Sequence, residues 1–320
     1  EQEDPENLFE IAKRLHRPLS NPDFILRHHW PPNFSKPDGS PLILMQPWEF
    51  GRIPTAWIRP LETVERVWAY TEFVKQCYVD SGINPEKIDV VPLGIEPSRF
   101  RPDVEPMTIT ELKGTDCFRF LFVGGTLFRK GIDLLLEAYR QEFDAQEEVA
   151  LVIKDMGVNS FYRNQTAGAQ IRELQSDPNC GTIVYITDDL SDRKIPGLYT
   201  ACDALVHPYR GEGFGLPVAE AMACGLPSIV TQGGSTDDFC KEDLVFHLPS
   251  QRRPIHFQED TVGQAWLLEP DMEALKVQLR YVFEHRDESR KRGRMASDYI
   301  RTHFTWERTA MNALEQIATV

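Results

Sequence analysis

Between Phe118 and Val230 short apolar runs alternate with segments of helical period. The runs are Phe120–Val123, Val149–Ile153, Thr182–Ile186, Ala204–His207 and Ser228–Val230. Helix-like segments cover Lys130–Phe143, Asp192–Cys202 and about Pro217–Cys224, and a polar stretch runs to Gln175. Continuous apolar strands separated by helices are what a parallel sheet covered on both faces requires. The first hundred residues repeat the pattern less clearly, with strands expected at Phe24–Leu26, Leu42–Met45, Val67–Tyr70 and Ile88–Val91 and helices at about 7–16 and 72–80. The Pro- and Gly-containing segment Pro97–Cys117 has linker composition and marks a boundary. The fold class expected is α/β with two Rossmann-like domains, at 1–106 and 107–303, and a terminal helix, 304–320, returning to the first domain.

Composition narrows the function classes. The 320 residues carry 35 Lys and Arg against 49 Asp and Glu, a net charge of −14. A surface this acidic repels phosphate backbones and anionic head groups, so no nucleic-acid partner is expected. No apolar run approaches the roughly 20 residues of a membrane span, so no integral membrane segment is expected either. The six cysteines show no C-x-x-C pair and no His at ligand spacing. They read as buried thiols of a reducing compartment, which points to the cytoplasm. Arg290–Arg294 reads as a solvated face.

The richest chemistry lies between Arg210 and Pro227. Seven residues separate Glu212 from Glu220, and Gly213, Gly215 and Pro217 stand where a helix should begin. Glycines there allow close backbone approach to a ligand, and the free N–H groups of a first turn favour an anion or a polar sugar. Glu220 falls one turn into the helix while Glu212 stays in the loop, so the two carboxylates can address different parts of an elongated ligand. Taken alone, Glu220 is equally readable as a buried structural residue.

These residues resemble the E-x7-E signature of retaining glycosyltransferases of the GT-B fold, the family 4 group. Phe122–Ala138 is similar to that family's first donor-domain strand, basic loop and helix, Val184–Asp203 to the stretch before the signature, and Phe304–Glu307 to its closing helix. The resemblance implies a nucleotide-diphosphate sugar as donor, a carbohydrate or other hydroxyl acceptor, no cofactor and no metal. It implies that Glu220 binds the ribose and that Glu212 approaches the transferred sugar. Gly213, Phe214, Gly215 and Leu216 then offer backbone groups to sugar or phosphate, and Gly124, Gly125 and Lys130 lie at the diphosphate. The family usually carries an Arg where this sequence has Gly125. Lys154, at the end of the neighbouring strand, is the candidate substitute, its ammonium then sharing an anion site with Lys130; a solvated surface lysine is the competing reading.

The N-terminal half should supply the acceptor side. Arg27–Pro32 and Gln46–Gly51 follow two expected strands and combine hydrogen-bonding groups with aromatic faces. His29 and Trp48 are acceptor-side candidates, and Glu49 a candidate catalytic group where the family often has a His. Loop capping or packing is the competing reading of His29 and Glu49. Measured against the family, the N-terminal domain lacks its opening strands, so four are expected and an exposed edge. A partner chain, a missing N-terminal segment or the acidic first residues would cover that edge. The alternative to a transferase is a nucleotide-sugar-binding protein without transfer activity; a GT-B epimerase or phosphorylase fits the signature less well.

Overall fold

The computed structural model describes residues 22–36, 39–160 and 162–318. Strands β1 (Ile25–Arg27), β2 (Leu42–Met45), β3 (Arg66–Ala69) and β4 (Ile88–Val90) form a parallel sheet in sequential order. Among the described residues two α-helices belong to this half, α1 (Ile58–Thr63) and α2 (Glu72–Asp80). Thr71 caps α2 by accepting a hydrogen bond from the Val74 amide at 3.2 Å, which satisfies one N–H that the helix leaves without a partner. Under the sheet, Trp48, Trp57, Val67, Val74 and Tyr78 form a core. Among the described residues β1 and β4 are the edge strands, and β1 is the edge left by the opening strands that the family resemblance expects. The helix expected at about 7–16, and the acidic segment expected to cover that edge, lie outside the described residues.

The second sheet has six parallel strands: β5 (Phe118–Gly124), β6 (Val149–Asp155), β7 (Thr182–Ile186), β8 (Ala204–His207), β9 (Ser228–Thr231) and β10 (Phe246–Leu248). Their spatial order is β10-β9-β8-β5-β6-β7. Helices α3 (Ile132–Glu142), α4 (Gly168–Gln175), α5 (Ile195–Thr200) and α6 (Leu216–Ala223) connect them. Side chains alternate along β5: Leu121 and Val123 face a core shared with α6, while Phe120 and Phe122 face one shared with α3. Both cores are needed because every backbone group of an interior parallel strand is paired and both faces must be shielded from water.

The order of connections reverses between β5 and β8, so the loops after these adjacent strands diverge and leave a crevice at their C-terminal ends. Open α/β sheets bind ligands at such a point. Between β9 and the closing helices the chain adds β10 and then an antiparallel hairpin, β11 (Ser250–Pro254) and β12 (Trp266–Pro270). The apolar pattern of the last sixty residues reads as helical throughout, so β12 departs from it; its pairing with β11 across eleven intervening residues is invisible to local periodicity. α4 also differs from expectation, having arisen in the stretch read only as polar. Ile171 is its one buried large side chain, too narrow a stripe to signal a helix.

Helices α7 (Met272–Glu284) and α8 (Arg286–His303) complete the second core, and α9 (Trp306–Ile317) crosses to the first sheet. Ala313 and Ile317 pack on Ile43, Trp68 and Val91, and the Thr309 hydroxyl donates to the Pro92 carbonyl at 2.9 Å. In the basic run on α8, Arg290, Lys291 and Arg294 are exposed, as a solvated face requires, while its remaining residues pack inward. Arg292 donates to the Val245 carbonyl and stacks over Phe246, and Gly293 is pressed so closely against Gly225 that a Cβ would lie 2.2 Å from its carbonyl oxygen.

Candidate functional site

At the end of β8 the chain passes from His207 into Glu212, and at the end of β5 it turns through Phe128–Lys130 before α3. Gly131 makes the second turn possible: its φ is +71° and a Cβ would lie 1.9 Å from the Pro208 carbonyl oxygen. The two loops are therefore in contact. Arg129 accordingly receives the Arg210 and Gly211 amides on its carbonyl, at 2.8 and 3.0 Å.

Glu212 is buried and fully engaged. One oxygen accepts from Lys130 and, at 3.3 Å, from His207 Nε2; the other accepts from its neighbour Gly213 N–H at 3.1 Å. Burial alone would raise its pKa, but Lys130 first and then His207 reverse this and hold the carboxyl well below the usual carboxylate range. Burial pulls the Lys130 ammonium down from its ordinary value, and Glu212 opposes that shift. His207 is completely buried against Phe122 and Tyr209, and burial lowers its pKa, so it is a neutral donor to Glu212 through Nε2–H. Its Nδ1 is a buried nitrogen without a hydrogen-bond partner among the described residues.

Arg129, beside Lys130, extends the network to the N-terminal half. Its guanidinium lies 3.5 Å from the Glu49 carboxylate and donates to the Gly211 carbonyl at 3.2 Å. Burial opposes its charge, and Glu49 with Glu212 more than offsets that penalty, so its pKa is raised. Arg210 sits behind both cations. It forms a bidentate pair with Asp133 at 2.7 and 2.8 Å, bonds Glu269 at 2.9 Å, donates to the Phe128 carbonyl and stacks 3.9 Å over the Phe128 ring. One buried guanidinium thus fixes the basic turn, the start of α3 and β12 together.

Glu220, on α6, has different surroundings. Among the described residues its one hydrogen-bond donor is the buried Tyr199 hydroxyl, at 2.8 Å. Burial dominates and pushes its pKa up to about 7, with Tyr199 and the more distant Arg99 pulling down. The helix starts at Leu216 with Gly215 as its N-cap residue, so the amides of its first turn lack intrahelical acceptors.

Several expected site residues stand elsewhere than expected. Lys154 is 3 % exposed, its Nζ donates to the Asp155 carbonyl at 3.0 Å, and the charges that act on it are Asp189, Asp155 and Asp188. It does not join Lys130: strand alternation turns it to the face opposite Asp155 and toward the loop after β7. Asp155 instead organises the loop at Gly124 and Gly125. Its carboxylate accepts from the Thr126 hydroxyl at 2.7 Å, the Tyr185 hydroxyl at 2.6 Å and the Gly157 amide at 2.7 Å. Trp48 is 1 % exposed, with its ring among Trp57, Phe50 and Phe257 and its Nε1–H on the Arg52 carbonyl at 2.9 Å. It is a packing residue and not an acceptor contact.

His29 and Glu49 line a cavity of about 760 Å³ between the two halves, together with Trp30, Arg129, Tyr162 and Phe257. The sequence reading passed over His207, Arg129 and Arg210. Two of these had a visible signal, since Arg129 adjoins Lys130 and Arg210 opens the Glu212 loop; His207 was indistinguishable from any strand residue.

Residues 109–253, which include Lys130, Lys154 and both glutamates, match the family of glycosyl transferases group 1. Mannosylfructose-phosphate synthase of Agrobacterium fabrum is 26% identical over 237 residues, 73% of this chain and 48% of that protein. D-inositol 3-phosphate glycosyltransferase 1 of Catenulispora acidiphila is 28% identical over 254 residues, 72% of this chain and 60% of that protein. The chain thus spans about half to three-fifths of the length of these curated relatives. Among solved structures, a glycosyltransferase from Rickettsia africae superposes with a TM-score of 0.67 over 98% of this chain and 82% of that one, at 18% identity. Anabaena HepE in complex with UDP and glucose gives 0.63 over 88% and 72%, at 16% identity. These likenesses establish the GT-B fold, two Rossmann-like halves facing a cleft.

Proposed function

We propose that this chain is a retaining glycosyltransferase, moving a sugar from a nucleotide-diphosphate sugar to an acceptor hydroxyl without a metal. Residues 1–106 are the acceptor side in this reading, 107–303 the donor side, and 304–320 the helix that ties them. The observation that carries it is the contrast between the two glutamates at the switch point. Glu212 is held ionised within a cluster of cations, whereas Glu220 is a desolvated carboxylate with one hydroxyl donor and unfilled acceptor capacity. A ribose supplies two vicinal hydroxyl donors that such a carboxylate can accept.

In the reaction the bond between the anomeric carbon and the diphosphate oxygen breaks while the acceptor hydroxyl oxygen bonds to the same face. The hydroxyl proton leaves with the diphosphate. Lys130, with the Phe214, Gly215 and Leu216 amides, stabilises the departing charge, and Glu212 fixes Lys130 and faces the sugar. Arg129 supplies the second cation that Gly125 does not, since it shares a turn with Lys130. Gly124, Gly125 and Gly213 give the diphosphate close backbone approach. Glu49 orients Arg129 from the acceptor side, and His29 stands at the acceptor entrance. The buried thiols fit a reducing compartment, and we assign the protein to the cytoplasm; among the described residues no helix is long and apolar enough to cross a membrane.

Incubation with UDP-, GDP- and ADP-sugars, with nucleotide release and product followed by mass spectrometry, tests the assignment. Transfer with retained anomeric configuration is expected and should survive a chelator. Nucleotide binding without turnover on any acceptor would instead favour a binding protein, and failure to bind any nucleotide diphosphate would overturn both readings.

A further inference from the structure

The cavity between the halves is closed on one side by the hairpin turn between β11 and β12. The hairpin is fixed at its base, where the Leu268 amide donates to the Arg210 carbonyl at 2.9 Å and Arg210 bonds Glu269. It is fixed again at its tip, where it crosses to the N-terminal half. There the Thr55 amide donates to the Asp260 carbonyl at 2.8 Å and the Val262 amide to the Ile53 carbonyl at 3.0 Å. Trp266 lies so close to Gly51, whose φ is +45°, that a Cβ there would fall 2.2 Å from the indole. A turn held at both ends presents a preformed wall.

The chemistry of that wall selects among acceptors. Trp30 and Phe128, from opposite halves, are 58% and 52% exposed and both line the cavity. Phe257, on the hairpin turn, packs against Phe50 at a centroid distance of 4.8 Å and adds a third aromatic wall. Arg129 is the one Arg or Lys among the described lining residues, and the transferase reading commits it to the donor diphosphate while Glu49 and the Gly211 carbonyl hold it in place. Glu259, also lining the cavity, adds an opposing negative charge. Among the described lining residues a phosphorylated acceptor would find no Lys or Arg besides Arg129, only the imidazoles of His28, His29 and His256.

Resting on the transferase reading above, we infer that this cavity takes an uncharged acceptor with a flat apolar portion beside its hydroxyls, such as an aryl glycoside. Trp30 and Phe257 are then the residues that select it. The volume, about 760 Å³, suits a ligand larger than one sugar ring.

Calorimetry on the full chain at pH 8, with and without UDP, GDP or ADP, would compare p-nitrophenyl, methyl and 6-phosphate derivatives of mannose and of glucose. The aryl glycosides should bind most tightly and the sugar phosphates least. Phe257→Ala and, separately, the exposed Trp30→Ala should each weaken aryl glycoside binding by about tenfold. Both should leave nucleotide diphosphate affinity unchanged, which also reports an intact fold. Tight binding of the sugar phosphates, no binding of any glycoside, or indifference of aryl glycoside binding to both substitutions would overturn the inference. Retained aryl glycoside binding with loss of all nucleotide binding would instead overturn the transferase reading alone.

Discussion

Glu212 and Glu220 belong to one short stretch of chain, yet the loop after β8 and the second turn of α6 treat a carboxylate in opposite ways. Around Glu212 the structure gathers Lys130, His207 and Arg129, so burial is compensated and the carboxyl is held ionised at neutral pH. Around Glu220 it supplies burial and a single tyrosine hydroxyl, so the charge is costly until a ligand arrives. The difference teaches that desolvation is common to both sites and that the number of fixed donors decides their roles. A carboxylate already saturated by the protein positions other groups; one left under-satisfied can bind.

The largest effect should come from removing the countercharge of the first site. Lys130→Ala leaves Glu212 buried with a neutral imidazole and Arg129 as its nearest compensation, and should cost about 3–5 kcal/mol of stability in urea denaturation at pH 7. Adding Glu212→Gln should restore part of that loss. A cost below about 1 kcal/mol would mean the pair is solvated and the contrast between the sites false.

Nucleotide binding should show the next effect. Glu220→Ala is expected to weaken nucleotide diphosphate binding by about 1.5–3 kcal/mol for each hydrogen bond lost, with little loss of stability. Glu212→Ala should reduce turnover more than nucleotide affinity. Equal affinity losses by calorimetry would erase the distinction.

The two sites should also leave opposite marks on stability against pH. Glu220 has a folded-state pKa raised from 4.5 to about 7, so the folded state gains protons relative to the unfolded one and stability falls as pH rises from about 5 to 7. Its contribution is on the order of 2 kcal/mol, and Glu220→Gln should flatten it. Glu212, with a depressed pKa, contributes stability above its ordinary value of 4.5 that is lost as pH falls below it. Urea midpoints between pH 3 and 8 for wild type and the two Gln variants would separate these slopes. Nucleotide diphosphate affinity should in parallel increase from pH 6 to 8, as Glu220 ionises.

The smallest effect is assigned to Lys154. With its ammonium on the Asp155 carbonyl and its field shared with Asp188 and Asp189, Lys154→Met should change nucleotide diphosphate affinity by less than about 0.5 kcal/mol, within the range of substitutions that remove no direct contact. Arg129→Met should lower it more. A larger loss for Lys154→Met, with nucleoside binding unchanged, would restore Lys154 to the diphosphate.

The sequence by itself determined strands β1 to β9 and the helices α2, α3, α5 and α6 that alternate with them, though not α1, α4 or β10 to β12, together with the position of the helix after Gly215 and the pair of glutamates around it. These follow from residue period, from glycines at a helix start and from seven-residue spacing, all of which are local. It could not determine where a strand-end side chain points: one register step separates Lys154 from Asp155, and a period of two sends neighbours to opposite faces. Nor could it say that Trp48 is enclosed while Trp30, eighteen positions earlier, is exposed, because enclosure depends on Trp57 and Phe257 arriving from distant segments. The assembly of Lys130, His207 and Glu212, the Arg210 junction and the hairpin wall across the cleft were decided only by tertiary structure. The first two join the loops after β5 and β8, neighbours in the sheet, through pairs 77 (Arg210–Asp133) and 82 (Lys130–Glu212) residues apart in the chain, because a buried charge finds its partners through packing and not through sequence distance. The hairpin, a separate two-stranded sheet, reaches loops of the other half.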